Sequence, residues 1–314
     1  MQKSKSPNSG LNKALIFVSA FVVSSLIIYQ VYYYSKIKSL SSGLVATAAE
    51  LPNTQISPLA PKHFSGINYM GNAGLLAAVS QTENSSFSAA PAESYLSGNG
   101  IYSKAFLDEI NIGISNKFPN HPPIGFPARE GDKILFSYLF KNVVLPAGFA
   151  DNHTIDVNGK HFRAIQYMAE NNNASTKAYF YGDSLYLLYI PVDKEALAIS
   201  KRPLPAGSID SLLMKMSNVA DWKKRIITFP EIDFNIIKYW KPEDALFIAD
   251  VAGYKHIEER LKLKLSAAKT EKYNDLPMVE LHPPFYIYLY KTNSAKPYLN
   301  LYIANTELLL PAKK

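Results

Sequence analysis

Thr154–Met168 reads TIDVNGKHFRAIQYM. At its centre, Val157-Asn158-Gly159-Lys160 is a hairpin signal, because Asn-Gly tolerates the positive φ angles of a two-residue turn between strands. Upstream, Lys133–Val144 (KILFSYLFKNVV) is apolar on both faces for much of its length, which predicts a strand covered on both sides. Downstream, Tyr179–Pro191 and Ile226–Phe234 are β-branched and aromatic runs, and Leu261, Leu263 and Leu265 alternate with lysines. Phe285–Tyr290 and Tyr298–Ile303, separated by Thr292-Asn293-Ser294, predict a terminal hairpin. Phe106, Ile110, Ile114 and Phe118 form one helical stripe stopped by Pro119; Ile209, Leu212, Leu213, Met216, Val219 and Trp222 form another. Gly71–Gln81 suits a short buried helix, and Ser94–Ile101 a strand followed by a turn at Asn99-Gly100. Strands and helices do not alternate regularly, so the expected fold class is α+β, with large, mainly antiparallel sheets and several packed helices.

The N-terminus carries a different message. Residues 14–35 (ALIFVSAFVVSSLIIYQVYYYS) hold no formal charge and would make about 33 Å of helix, enough to cross a bilayer core. Tyr29, Tyr32, Tyr33 and Tyr34 crowd one end, where amphipathic rings sit among headgroups. The expected organisation is a basic cytoplasmic tail (1–13), a transmembrane helix (14–35), a flexible tether (36–62) rich in Ser, Ala, Thr and Pro, and a folded domain (63–314) outside the cytoplasm. The alternative is a cleaved signal peptide, for which Ala46-Thr47-Ala48 has the spacing, although it lies well beyond the apolar run.

The formal charge is +7, from 33 Lys+Arg against 26 Asp+Glu. Lys3, Lys5, Lys13, Lys36 and Lys38 account for five of those charges, so the rest of the chain is nearly neutral and nucleic acid is not an expected partner. Cysteine is absent, which removes disulfides, thiolate metal sites and thiol nucleophiles. The histidines His63, His121, His153, His161, His256 and His282 show no metal-ligand spacing; His256 beside Glu258 and Glu259 reads as a solvated turn or helix face. Gly71-x-x-Gly74 and Gly98-Asn99-Gly100 lack what a phosphate loop requires, there is no nucleophile elbow, and Glu243-Asp244 are adjacent rather than facing. The expectation is no enzyme, no cofactor, no metal and no small-molecule substrate. Tyr286, Tyr288 and Tyr290 share one strand face, read as sheet packing, and the sequons at Asn84, Asn152 and Asn173 decide nothing alone.

The order of these segments resembles the serpin family. Ile134–Lys141 (ILFSYLFK) resembles a central-sheet strand ending in a Phe-Lys-Gly step, with Asn142 in place of the glycine and Phe149 near the following aromatic. Thr154–Met168 resembles the family's strand, V-x-G-K turn and strand closing on a Met, and Tyr179-Phe180-Tyr181 follows where the next aromatic strand stands. Ser208–Leu213, Trp222 and Ile226–Phe234 (IITFPEIDF) are similar to the short helices, tryptophan and Leu-Pro-Lys-Phe strand, with Glu231 replacing the lysine. His282–Leu289 resembles the terminal His-Pro-Phe signature with an extra proline, and Ile303-Ala304-Asn305-Thr306 the closing Val-Asn-Pro-Thr without one. The likeness covers about 63–306, is strongest after 133, and implies a shortened N-terminal helical part.

A serpin inhibits by offering an exposed loop as bait and inserting it, once cut, as a new strand in its main sheet. The corresponding connection here, residues 266–278 (SAAKTEKYNDLPM), is short. Only Ala267 and Ala268 match a small-residue hinge; Ala267, Ala268, Lys269, Thr270, Glu271, Lys272 and Tyr273 are the candidate vestigial reactive loop. Lys269, Glu271, Lys272, Asn274 and Asp275 would bring charges and strand-averse amides into the sheet, and Pro277 lacks a ladder donor. The resemblance therefore implies a membrane-anchored, non-inhibitory serpin-like module that binds a protein, either a protease or another partner, or serves a structural role. The alternative is a working, divergent inhibitor of serine or cysteine proteases.

Overall fold

The computed structural model describes residues 44–47, 50–57, 66–72, 74–83, 94–149, 153–169, 176–181, 184–204, 209–216, 225–241, 244–245, 253–269, 276–292, 294 and 296–312. In chain order these form β1 (Leu44–Thr47), β2 (Thr54–Ser57), β3 (Asn68–Asn72), α1 (Gly74–Glu83), β4 (Leu96–Ile101), α2 (Lys104–Lys117) and β5 (Lys133–Phe149). There follow β6 (Thr154–Val157), β7 (Lys160–Ala169), β8 (Lys177–Tyr181), β9 (Ser184–Val192), β10 (Glu195–Ser200), α3 (Ile209–Met216), β11 (Arg225–Pro230) and β12 (Ile232–Tyr239). The last strands are β13 (His256–Lys269), β14 (Met278–Glu280), β15 (Phe285–Lys291) and β16 (Leu299–Ile303).

Two sheets carry the fold. The first runs β1-β12-β13-β5-β7-β11-β14, with β4 on β5 and β6 on β7; the second runs β2-β3-β16-β15-β10-β9-β8. The Asn-Gly signal is answered by Asn158 (φ 54°) and Gly159 (φ 77°), which join β6 to β7 in antiparallel register. Both sheets are more mixed than expected. β1–β12, β11–β14 and β13–β5 are parallel, because these partners come from distant parts of the chain rather than from hairpins, and the consecutive strands β2 and β3 are parallel as well.

Burial follows the strand period. Leu139, Val143 and Leu145 of β5 join Leu261, Leu263 and Leu265 of β13 and meet Ile190, Leu197, Ile287 and Leu301 of the second sheet in the main core. Ile134, Phe136, Tyr138 and Phe140 face the other way and pack with Ile110 and Ile114 of α2, so β5 is covered on both sides as its composition predicts. Helix α2 starts where Ser103 Oγ accepts the Phe106 amide (3.1 Å) and stops as Phe118 N–H returns to Ile114 O (2.7 Å), one residue before Pro119. On the outer face of the second sheet, Ile209 and Leu213 of α3 cover Leu187, Ala196 and Tyr290.

Two readings are corrected. Residues 36–62 are not wholly a tether: Leu44–Thr47 pairs with β12 and Thr54–Ser57 with β3, so the folded body includes residues before 63. Asn99-Gly100 is not a turn but lies inside β4, where Gly100 lets the Phe106 ring approach; a Cβ there would lie 2.5 Å from Phe106. The membrane span at 14–35 and the basic tail lie outside the described residues; among the described residues no helix is long and apolar enough to cross a membrane.

Candidate functional site

The connection between β13 and β14 is where the sequence places its candidate residues. β13 lies parallel to β5 from His256 opposite Ile134 to Ala267 opposite Leu145, then shifts register so that Lys269 stands opposite Phe149. Its other edge is paired with β12 from Glu258 to Leu265. The alternation Leu261-Lys262-Leu263-Lys264-Leu265 explains this: the leucines enter the core between the sheets, and the lysines lie on the opposite face.

Ala267, Ala268 and Lys269 are therefore strand residues, with Ala267 packed against the main core and Ala268 exposed. The strand runs further than the sequence reading, which begins the connection at Ser266. Thr270, Glu271, Lys272 and Tyr273 lie outside the described residues. The chain returns at Leu276; Pro277 O accepts the Ile226 amide (2.9 Å), and β14 runs parallel to β11 as far as Leu281, whose N–H donates to Thr228 O (2.8 Å).

At the other end of β13 the structure reverses the solvated reading of its acids. Glu258 and Glu259 are 0% and 1% exposed. They point to opposite faces, and each meets different chemistry. Glu258 accepts from Arg260 Nε, contacts His256 Nε2 at 3.0 Å and accepts from Tyr138 Oη at 3.3 Å. Glu259 accepts from Asn72 Nδ2 (2.6 Å) and Trp240 Nε1 (3.1 Å), and burial pushes its carboxyl up to about 7. The missed signal was period two: His256, Glu258 and Arg260 fall on one strand face, so the acid carries its own guanidinium and imidazole partners into the interior.

A half-buried acid stands where β5 meets the second sheet. Glu195 accepts from Lys291 Nζ (2.6 Å), from Lys141 Nζ and from Tyr298 Oη (3.0 Å). Burial raises its carboxyl, but the hydrogen bonds and charges of the two lysines outweigh that and hold it below the usual value. Three other histidines, His121, His282 and His161, have local partners or packing. His121 stacks on Phe140 (3.5 Å between centroids), where burial pushes its imidazole down to about 4. His282 pairs with Glu280 (3.0 Å) and His161 with Asp156 (3.6 Å), both at the surface. Among the described residues no group of three His, Asp or Glu side chains could hold a metal ion.

No family model matches the chain, and no curated protein matches it. Among solved structures, the crystal structure of native protease nexin-1 with heparin aligns with a TM-score of 0.39 and 12% identity, over 64% of this chain and 65% of that one. The chain thus spans just under two thirds of that serpin's length. Mixed sheets with few helices are compatible with a serpin-like fold.

Proposed function

We propose that this chain is a serpin-like protein, anchored to a membrane by residues 14–35, that keeps the scaffold without the loop-insertion trap and acts outside the cytoplasm as a protein-binding or structural module. The reading is carried by the reach of the β13–β14 connection. Residues 270–277, fully extended, cover at most about 27 Å. β13 has 14 residues, about 46 Å of strand, so even a cut at the far end of the connection releases too little chain to line it. Insertion would also have to part the β13–β5 ladder and bring Glu271, Lys272 and Asp275 into a sheet whose inner face packs on the apolar core.

Incubating the full chain with trypsin-like and chymotrypsin-like proteases tests the reading. The expected outcome is no SDS-resistant covalent complex; such a complex would establish a working inhibitor instead. Deleting residues 1–38 is expected to move the protein from the membrane fraction to the soluble fraction, and persistent membrane association of the shortened chain would count against the anchor.

A further inference from the structure

Where the middle of β5 approaches the β9–β10 turn and the end of β15, the two sheets leave a cleft of about 310 Å³. Lys141, Lys194 and Lys291 line it, with Asp193 and Glu195 as its carboxylates. Its remaining wall includes Val143, Val192, Leu197 and Leu289. The cleft is therefore an apolar recess with cations at its rim, at the small end of the size range of organic-ligand sites.

The electrostatics of the rim are unbalanced by construction. The Glu195 side chain is only 12% exposed and already receives both Lys141 and Lys291 together with the Tyr298 hydroxyl. One carboxylate thus holds two ammonium groups side by side, each 27% exposed, and like charges so placed attract a second anion. Each ammonium has three donors, of which Glu195 takes one. Lys194, on the turn that Asp193 forms at φ 54°, adds a third cation that forms no ion pair among the described residues. Three ammoniums face two carboxylates, and one of those two is saturated. By contrast, the cavity between Asp156, His282 and Asn305 (about 360 Å³) is lined by no lysine or arginine, and its imidazole is paired with Glu280.

We propose that the Lys141–Lys194–Lys291 cleft binds a small organic anion, a carboxylate or phosphomonoester carrying a short apolar chain. The oxyanion sits among the ammoniums, and the apolar part covers Val143, Val192 and Leu289. The assignment stands independently of the protease question, since none of these residues belongs to the β13–β14 connection.

The test is calorimetric titration of the full-length chain with hexyl phosphate and with hexanoate, beside hexanol and inorganic phosphate. Saturable one-to-one binding of the two amphipathic anions is expected, with hexanol silent and inorganic phosphate weaker. Lys194→Gln leaves the Glu195 cluster intact and is expected to weaken hexyl phosphate about tenfold, the loss of one charge-assisted contact. Lys291→Gln is expected to weaken it further, with circular dichroism confirming the fold. Absence of saturable binding, equal binding of hexanol, or affinity unchanged in both variants overturns the site. Inorganic phosphate binding as tightly as hexyl phosphate overturns the apolar half of the assignment.

Discussion

Glu195 and Glu259 are the same residue in two settings, and their carboxyls move in opposite directions. At Glu195, at the junction of the two sheets, two lysines and a tyrosine hydroxyl supply the hydrogen bonds, and the charged form is favoured despite burial. At Glu259, near the start of β13, the donors are a neutral amide and an indole. The nearest cation acting on it, Lys238, is placed over the Trp240 ring (3.3 Å) and donates to Ile56 O (2.7 Å) rather than to the carboxylate. Neutral donors do not offset the complete desolvation at Glu259, whereas two contacting ammoniums outweigh the partial desolvation at Glu195.

The contrast can be broken at either end. The largest expected effect is on the pH dependence of Glu259. Its carboxyl is raised, so the native state keeps a proton that the unfolded chain releases, and stability falls as pH rises from about 4.5 to about 7. Glu259→Gln is expected to remove about 3 kcal/mol of that decline, read by urea unfolding across the range; an unchanged slope would mean that another group carries it. The next effect has the opposite sign. The Glu195 carboxyl is lowered, so its contribution is complete above the ordinary carboxylate value and is lost as pH falls through its depressed one. Glu195→Gln, which leaves two ammoniums facing each other, is expected to cost about 2 kcal/mol at pH 7, less than a fully buried pair because the lysines reach water. The smallest effect sharpens the first: Trp240→Phe deletes one donor and is expected to raise the Glu259 midpoint by about one unit, or roughly 1.4 kcal/mol.

Sequence alone showed the parts of the fold that rest on period. Leu261, Leu263 and Leu265 announce β13, Ile110 and Ile114 mark the buried stripe of α2, and Asn158-Gly159 fixes a turn that no β-branched pair would accept. It did not show β1 or β2, since LVAT and TQIS are four-residue strands in parallel pairs that no hairpin turn announces, β1 with the distant β12 and β2 with the neighbouring β3. Nor did it show the buried acids. A run such as His256-Ile257-Glu258-Glu259-Arg260 looks solvated until it is known to be a strand, when alternate positions separate Glu258 with its imidazole and guanidinium from Glu259 with its amide and indole. The Glu195 cluster was invisible for another reason: Lys141, Lys291 and Tyr298 reach it from three separate strand regions, and no local pattern encodes that meeting.

The β5–β13 pairing also sets a timetable for biosynthesis. Ile134 finds its neighbour His256 only after more than a hundred further residues have left the ribosome, so the most apolar strand of the first sheet waits with one edge unpaired while the rest is translated. Maturation of this chain is accordingly bound to completion of its C-terminal third, and a nascent chain stalled before residue 256 would expose an aggregation-prone edge that chaperones must shield.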